Sequence, residues 1–90
     1  MPINDEALHA KMQQMLIDFL HAELEIGPSF VQSALLSLDD GHMDHYAQAK
    51  SNAAKAAESV RRFMSQVADI EIRTAIGRQL DELDRLICSL

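Results

Sequence analysis

Residues 39–45, Asp39-Asp40-Gly41-His42-Met43-Asp44-His45, gather two imidazoles and three carboxylates. Imidazole nitrogens and carboxylate oxygens are ligands for zinc and other transition metals. His42 and His45 stand three apart, so their rings share a side wherever both positions are helical. With Asp44 they are the candidate metal ligands, and protonation of the same imidazoles is the candidate pH response. The run lacks the HExxH and Glu-x-x-His spacings that recur in metal sites, and His42 falls in a turn. A hydrated, capping turn accounts for the same residues, and no metal or cofactor is expected.

On the first helical stretch Gln14, Asp18, His21 and Glu25 follow one another on a single face, with acids three before and four after His21. That arrangement could hold a cation; the simpler account is a solvated face opposite an apolar stripe. Acid–base or nucleophilic catalysis requires groups sequestered in a concave pocket, and an aliphatic bundle of this size has little volume to spare for one. No enzyme activity is expected, and no residue is assigned a catalytic role. Cys88, the only cysteine, follows Arg85 by three positions but sits in an apolar stripe, where it reads as a small hydrophobe that could bridge two copies under oxidation.

Charge narrows the partners further. The chain carries a net charge of −6, which disfavours duplex nucleic acid and anionic membrane surfaces. Residues 1–45 hold eight acids against one base, whereas residues 46–90 hold six acids against seven bases, so helices of the two halves could attract one another in the fold or between copies. The bases are interleaved with acids and accompanied by no aromatic platform, and single-stranded nucleic acid is not an expected partner either. The N-terminus shows neither a basic start nor the apolar run of a secretory signal, and no segment is long enough to span a bilayer, so a cytoplasmic location is expected.

The elements that would carry these residues are helical throughout. Ninety residues allow one core and one domain, 1–90, and with aromatics at 4% that core must be aliphatic, alanine and methionine. Asn4 is a candidate N-cap ahead of Asp5 and Glu6. The stripe Leu8, Met12, Met15, Phe19, Ala22, Ile26, widened by Leu16, Leu20 and Leu24, reads as a core-facing helix touching two neighbours. Gly27-Pro28 is expected to end it, and Ser29-Phe30-Val31-Gln32 to cap a second, short helix that stops at Asp39-Asp40-Gly41. A third helix uses Tyr46, Ala49, Ala53, Ala57, Val60, Met64 and Val67. A fourth uses Ile72, Ile76, Leu80, Leu83, Ile87 and Leu90, with Asp81 and Arg85 spaced as an i, i+4 ion pair and Asp69 as the only available cap between the two. The expected fold is all-α: a small antiparallel three- or four-helix bundle with helices at about 4–26, 30–39, 43–68 and 70–89.

The order Ala34-Leu35-Leu36-Ser37-Leu38-Asp39-Asp40-Gly41, then Tyr46-Ala47, Ala53, Ala57 and Phe63, resembles the helical hairpin of tetratricopeptide and MIT-like domains, with Ile70 to Leu90 as the third helix of the latter. The resemblance spans roughly residues 34–90 and implies a groove between helices that takes a partner helix or extended peptide, without cofactor or reaction. The chain departs from a tetratricopeptide array in having no second copy of the repeat, no Trp and no Pro closing the second helix. No binding residue carries over, because the matching positions are packing positions.

The expected function is a non-enzymatic protein–protein interaction or adaptor module, binding a partner helix or self-associating as a homodimer. Its candidate surface is Leu8, Met12, Met15, Leu16, Phe19, Leu20, Leu83 and Ile87, an apolar area larger than so small a chain can hide. The alternative is a metal- or pH-responsive helical protein using the His42 and His45 turn.

Overall fold

A computed structural model describes residues 5–90, and the proposed Asn4 cap lies outside them. Among the described residues there are three α-helices and no strand: α1 (Asp5–Asp39), α2 (Met43–Phe63) and α3 (Ile70–Cys88), with a single 3-10 turn, Met64–Gln66, after α2. α1 and α2 form a long antiparallel hairpin, and α3 folds back along both. The particle measures 61 × 24 × 15 Å. Its length is set by α1, whose 35 residues span about 52 Å at 1.5 Å per residue.

The continuity of α1 corrects the expected break at Gly27-Pro28. Pro28 lies inside the helix, and Gly27 is buried without the positive φ of a left-handed cap. Ser29 is no N-cap: its hydroxyl donates to the Glu25 carbonyl one turn back, at 3.5 Å. The helix survives its proline because the buried stripe Ile17, Leu20, Leu24, Gly27, Val31, Ala34 passes through residue 28 without losing register. One unbroken helix keeps both halves of that stripe against α2, and packing along it outweighs one missing hydrogen bond and the ring's clash with the Leu24 carbonyl, about 3 kcal/mol.

The real turns follow from local chemistry. Gly41 takes φ +77°, its N–H donates to the Leu38 carbonyl at 3.2 Å, and the His42 N–H donates to Ser37 at 2.8 Å. That pair of bonds is a Schellman motif with glycine at the left-handed position, as the Asp-Asp-Gly run implies. α2 stops earlier than residue 68, at Phe63, and Val67 is extended. Asp69 then caps α3, its carboxylate accepting from the N–H groups of Glu71 (2.9 Å) and Ile72 (3.2 Å). The third and fourth expected helices are therefore separate, as α2 and α3.

The core is aliphatic. Leu20, Val60, Val67, Ile76 and Leu83 are fully enclosed, each contributing about 1.5–3 kcal/mol of apolar burial. α2 presents Ala49, Ala53, Ala56 and Ala57 inward, and these small side chains let α1 lie close. No polar or charged residue is buried among those described.

Polar contacts fix how the helices meet. The Gln13 amide bonds twice to the linker before α3: Nε2 donates to the Gln66 carbonyl and Oε1 accepts from the Ala68 N–H, both at 2.9 Å. The Tyr46 hydroxyl donates to the Leu90 carbonyl at 2.6 Å. Arg61 Nη2 grips both Asp84 oxygens, at 2.8 and 2.7 Å, joining α2 to α3, while Nη1 reaches Glu58 at 3.1 Å. These acids hold the Arg61 guanidinium above its ordinary pKa, the hydrogen bond to Asp84 most of all. Arg85 pairs with Glu82 instead of the expected Asp81. All these ion pairs lie within residues 46–90, so the charge contrast between the two halves is not expressed as ion pairs among the described residues.

Candidate functional site

α1 carries two apolar stripes. The inward one, Ile17, Leu20, Leu24, Gly27, Val31, is core. The other is Met12, Met15, Phe19, Ala22, Ile26, with Leu8 one turn earlier. Each of its members from Met12 to Ile26 precedes an inward residue by five positions. Five residues at 3.6 per turn rotate the second stripe by about 140°, which carries it off the core and onto the outside of the molecule.

The second stripe remains bare. Leu8, Met12, Met15, Phe19 and Ile26 each keep between 43% and 64% of their surface exposed, and Ala22 is exposed with them. Only Phe19 has an aromatic neighbour, its ring meeting Phe63 of α2 edge to face with centroids 6.2 Å apart. The steps of four and three from Leu8 to Ile26 are those of a heptad seam, the pattern by which one helix receives the knobs of another. Every residue from Asp5 to Met12 is exposed, so the seam begins on a solvent-facing length of α1.

The sequence-derived surface divides accordingly. Leu8, Met12, Met15 and Phe19 are exposed. Leu20 and Leu83 are enclosed, and Leu16 and Ile87 are partly buried against the core. The reading of all these residues as one broad face merged two stripes that the helix keeps apart. Ile26 belongs to the outward set, and the signal for it was its heptad spacing from Ala22 and Phe19.

The His-rich turn is only partly assembled. The His42 and His45 rings stack at 5.6 Å between centroids with 23° between their planes. Among the described residues no group of three or more His, Cys, Asp or Glu side chains converges as a metal site would require. On α1, Asp18 accepts a hydrogen bond from Gln14 at 2.8 Å, while His21 and Glu25 border a groove between α1 and α3 with Leu24, Pro28, Glu82 and Leu86, about 430 Å³ in volume. Cys88, read as a small hydrophobe, is exposed.

No described helix is long and apolar enough to cross a membrane. Comparison of the chain with protein families, curated proteins and solved structures finds no match in any of the three.

Proposed function

We propose that this protein is a non-enzymatic interaction module that works by presenting the outer seam of α1 to a helix of another protein molecule. One observation carries the reading. Six heptad-spaced apolar positions, Leu8 to Ile26, lie exposed along a helix whose opposite side is buried in the core from Ile17 to Ala34. Isolated exposed apolar residues are ordinary on a protein surface, but an aligned row of them at coiled-coil spacing is what a helical partner covers. The partner would seat on the outer face of α1, not in a groove between helices as the tetratricopeptide and MIT-like resemblance implies.

A photo-activated cross-linking residue placed at Met15 tests this in cells, with the same residue at exposed Arg78 on α3 as the control. The expected result is a covalent adduct with a protein chain from position 15, lost on adding Met12→Glu, and none from position 78. Absence of an adduct at Met15, or indifference to Met12→Glu, overturns the reading.

A further inference from the structure

We infer that the occupant of the seam is a second copy of this chain, with its α1 antiparallel to the first. This inference rests on the interaction reading above and adds to it the identity and direction of the partner. Written as a heptad, the seam places Met12, Phe19 and Ile26 at a and Leu8, Met15 and Ala22 at d. Lys11, Asp18 and Glu25 flank it at g, and His9, Leu16 and Glu23 at e.

Direction follows from the flanks. In an antiparallel pair a layers meet d layers, and g faces g while e faces e. Centred on Ile17, the pairing sets Leu8 against Ile26, Met12 against Ala22 and Met15 against Phe19, so every seam residue finds an apolar partner. On the g flank, Lys11 of each copy then faces Glu25 of the other, twice per dimer. On the e flank, His9 faces Glu23, and Leu16 meets its own counterpart. The one like-charge meeting is Asp18 with Asp18 at the centre, where each carboxylate already accepts from Gln14. An in-register parallel pair instead sets Asp18 against Glu23 twice and leaves Lys11 facing Leu16. The distribution of charge along α1, basic at Lys11 and acidic from Asp18 to Glu25, therefore selects the antiparallel arrangement.

Area is consistent with the same partner. The exposed parts of the five large seam residues amount to roughly 500 Å² of apolar surface per copy, and with the flanking stems the contact approaches the ~800 Å² per partner of a standard stable interface. Lys11, Asp18 and Glu25 are all exposed, so none is needed for the fold of the single chain.

The test is sedimentation velocity on the purified full chain, at concentrations up to about 100 µM. A dimer is expected. Lys11→Glu and Glu25→Lys, each retaining the helical circular dichroism of the parent, should each weaken dimerisation about tenfold or more, since each reversal turns two attractive pairs into two repulsive ones. Lys11→Glu combined with Glu25→Lys should restore it to within about threefold. A chain that stays monomeric overturns the second copy as occupant, and a dimer indifferent to the single reversals, or not rescued by the pair, overturns the antiparallel register. A monomer that still yields the Met15 adduct in cells sinks this inference alone; a monomer without it sinks the interaction reading as well.

Discussion

Gly27 of α1 and Leu83 of α3 occupy one another's space: a Cβ atom on Gly27 would stand 2.6 Å from Leu83 Cδ2 and 3.0 Å from its Cδ1. Leu83 is enclosed, so its methyl groups cannot swing into solvent. Gly27→Ala therefore sets two opposed effects against each other: alanine gains about 1 kcal/mol of helix propensity, and overpacking costs about 1–3 kcal/mol. A net loss of about 1 kcal/mol is expected in urea denaturation. Against a Leu83→Ala background the clash disappears and Gly27→Ala should stabilise, a sign reversal that a double-mutant cycle reads directly.

Pro28 is the most dispensable departure from helical chemistry in the chain. Its exposed ring removes the N–H that would bond the Leu24 carbonyl. Pro28→Ala should stabilise by about 2 kcal/mol, the helical cost of proline less the 0.4–1 kcal/mol by which it restricts the unfolded chain. A thermal midpoint that falls would show that the ring's packing beside the α1–α3 groove matters more than the hydrogen bond.

The two interhelical turns differ in how they start the next helix. Asp69 accepts two backbone N–H bonds at the head of α3, whereas His42, at the head of α2, makes no side-chain cap bond. Asp69→Ala should cost about 1 kcal/mol and His42→Ala only a few tenths. Equal costs in chemical denaturation would contradict the capping geometry.

The Glu82 carboxyl is held below the ordinary carboxylate range, chiefly by the hydrogen bond from Arg85; burial opposes this, and the Arg85 charge adds a lesser lowering. A depressed folded-state pKa gives stability that is present above the unfolded value and lost as pH falls through the folded one. The pair is exposed and the gain correspondingly small. Titration followed by NMR should place Glu82 below an ordinary glutamate, and Arg85→Ala should return it upward; a carboxyl unmoved by Arg85→Ala would refute the pairing.

What could be read from the sequence depended on whether a local rule or a tertiary one decided each feature. The turn at Gly41 and the Asp69 cap were legible because both are settled within a few residues by backbone hydrogen bonds. Gly27-Pro28 was misread because its local chemistry favours a break, while the register of Leu24, Gly27, Val31 and Ala34 against α2 and α3 favours continuation. Only the presence of α2 and α3 reveals which is stronger, and Leu83 explains why the residue at position 27 has no side chain. The outward seam was visible as a spacing from Leu8 to Ile26, but its orientation depends on which of two stripes α2 chooses. The Gln13 clamp was invisible, since nothing local distinguishes that glutamine from a solvated one.

That clamp divides α1 into lengths of unequal durability. From Gln13 onward the helix is tied to the linker and then to the core, while every residue from Asp5 to Met12 is exposed. An exposed helical end of two turns opens at small free-energy cost, whereas the stretch around Leu20 opens only with the whole fold. Amide protons should therefore exchange along α1 as a gradient with its step at Gln13, and a single helix records in its exchange rates where the rest of the molecule stops holding it.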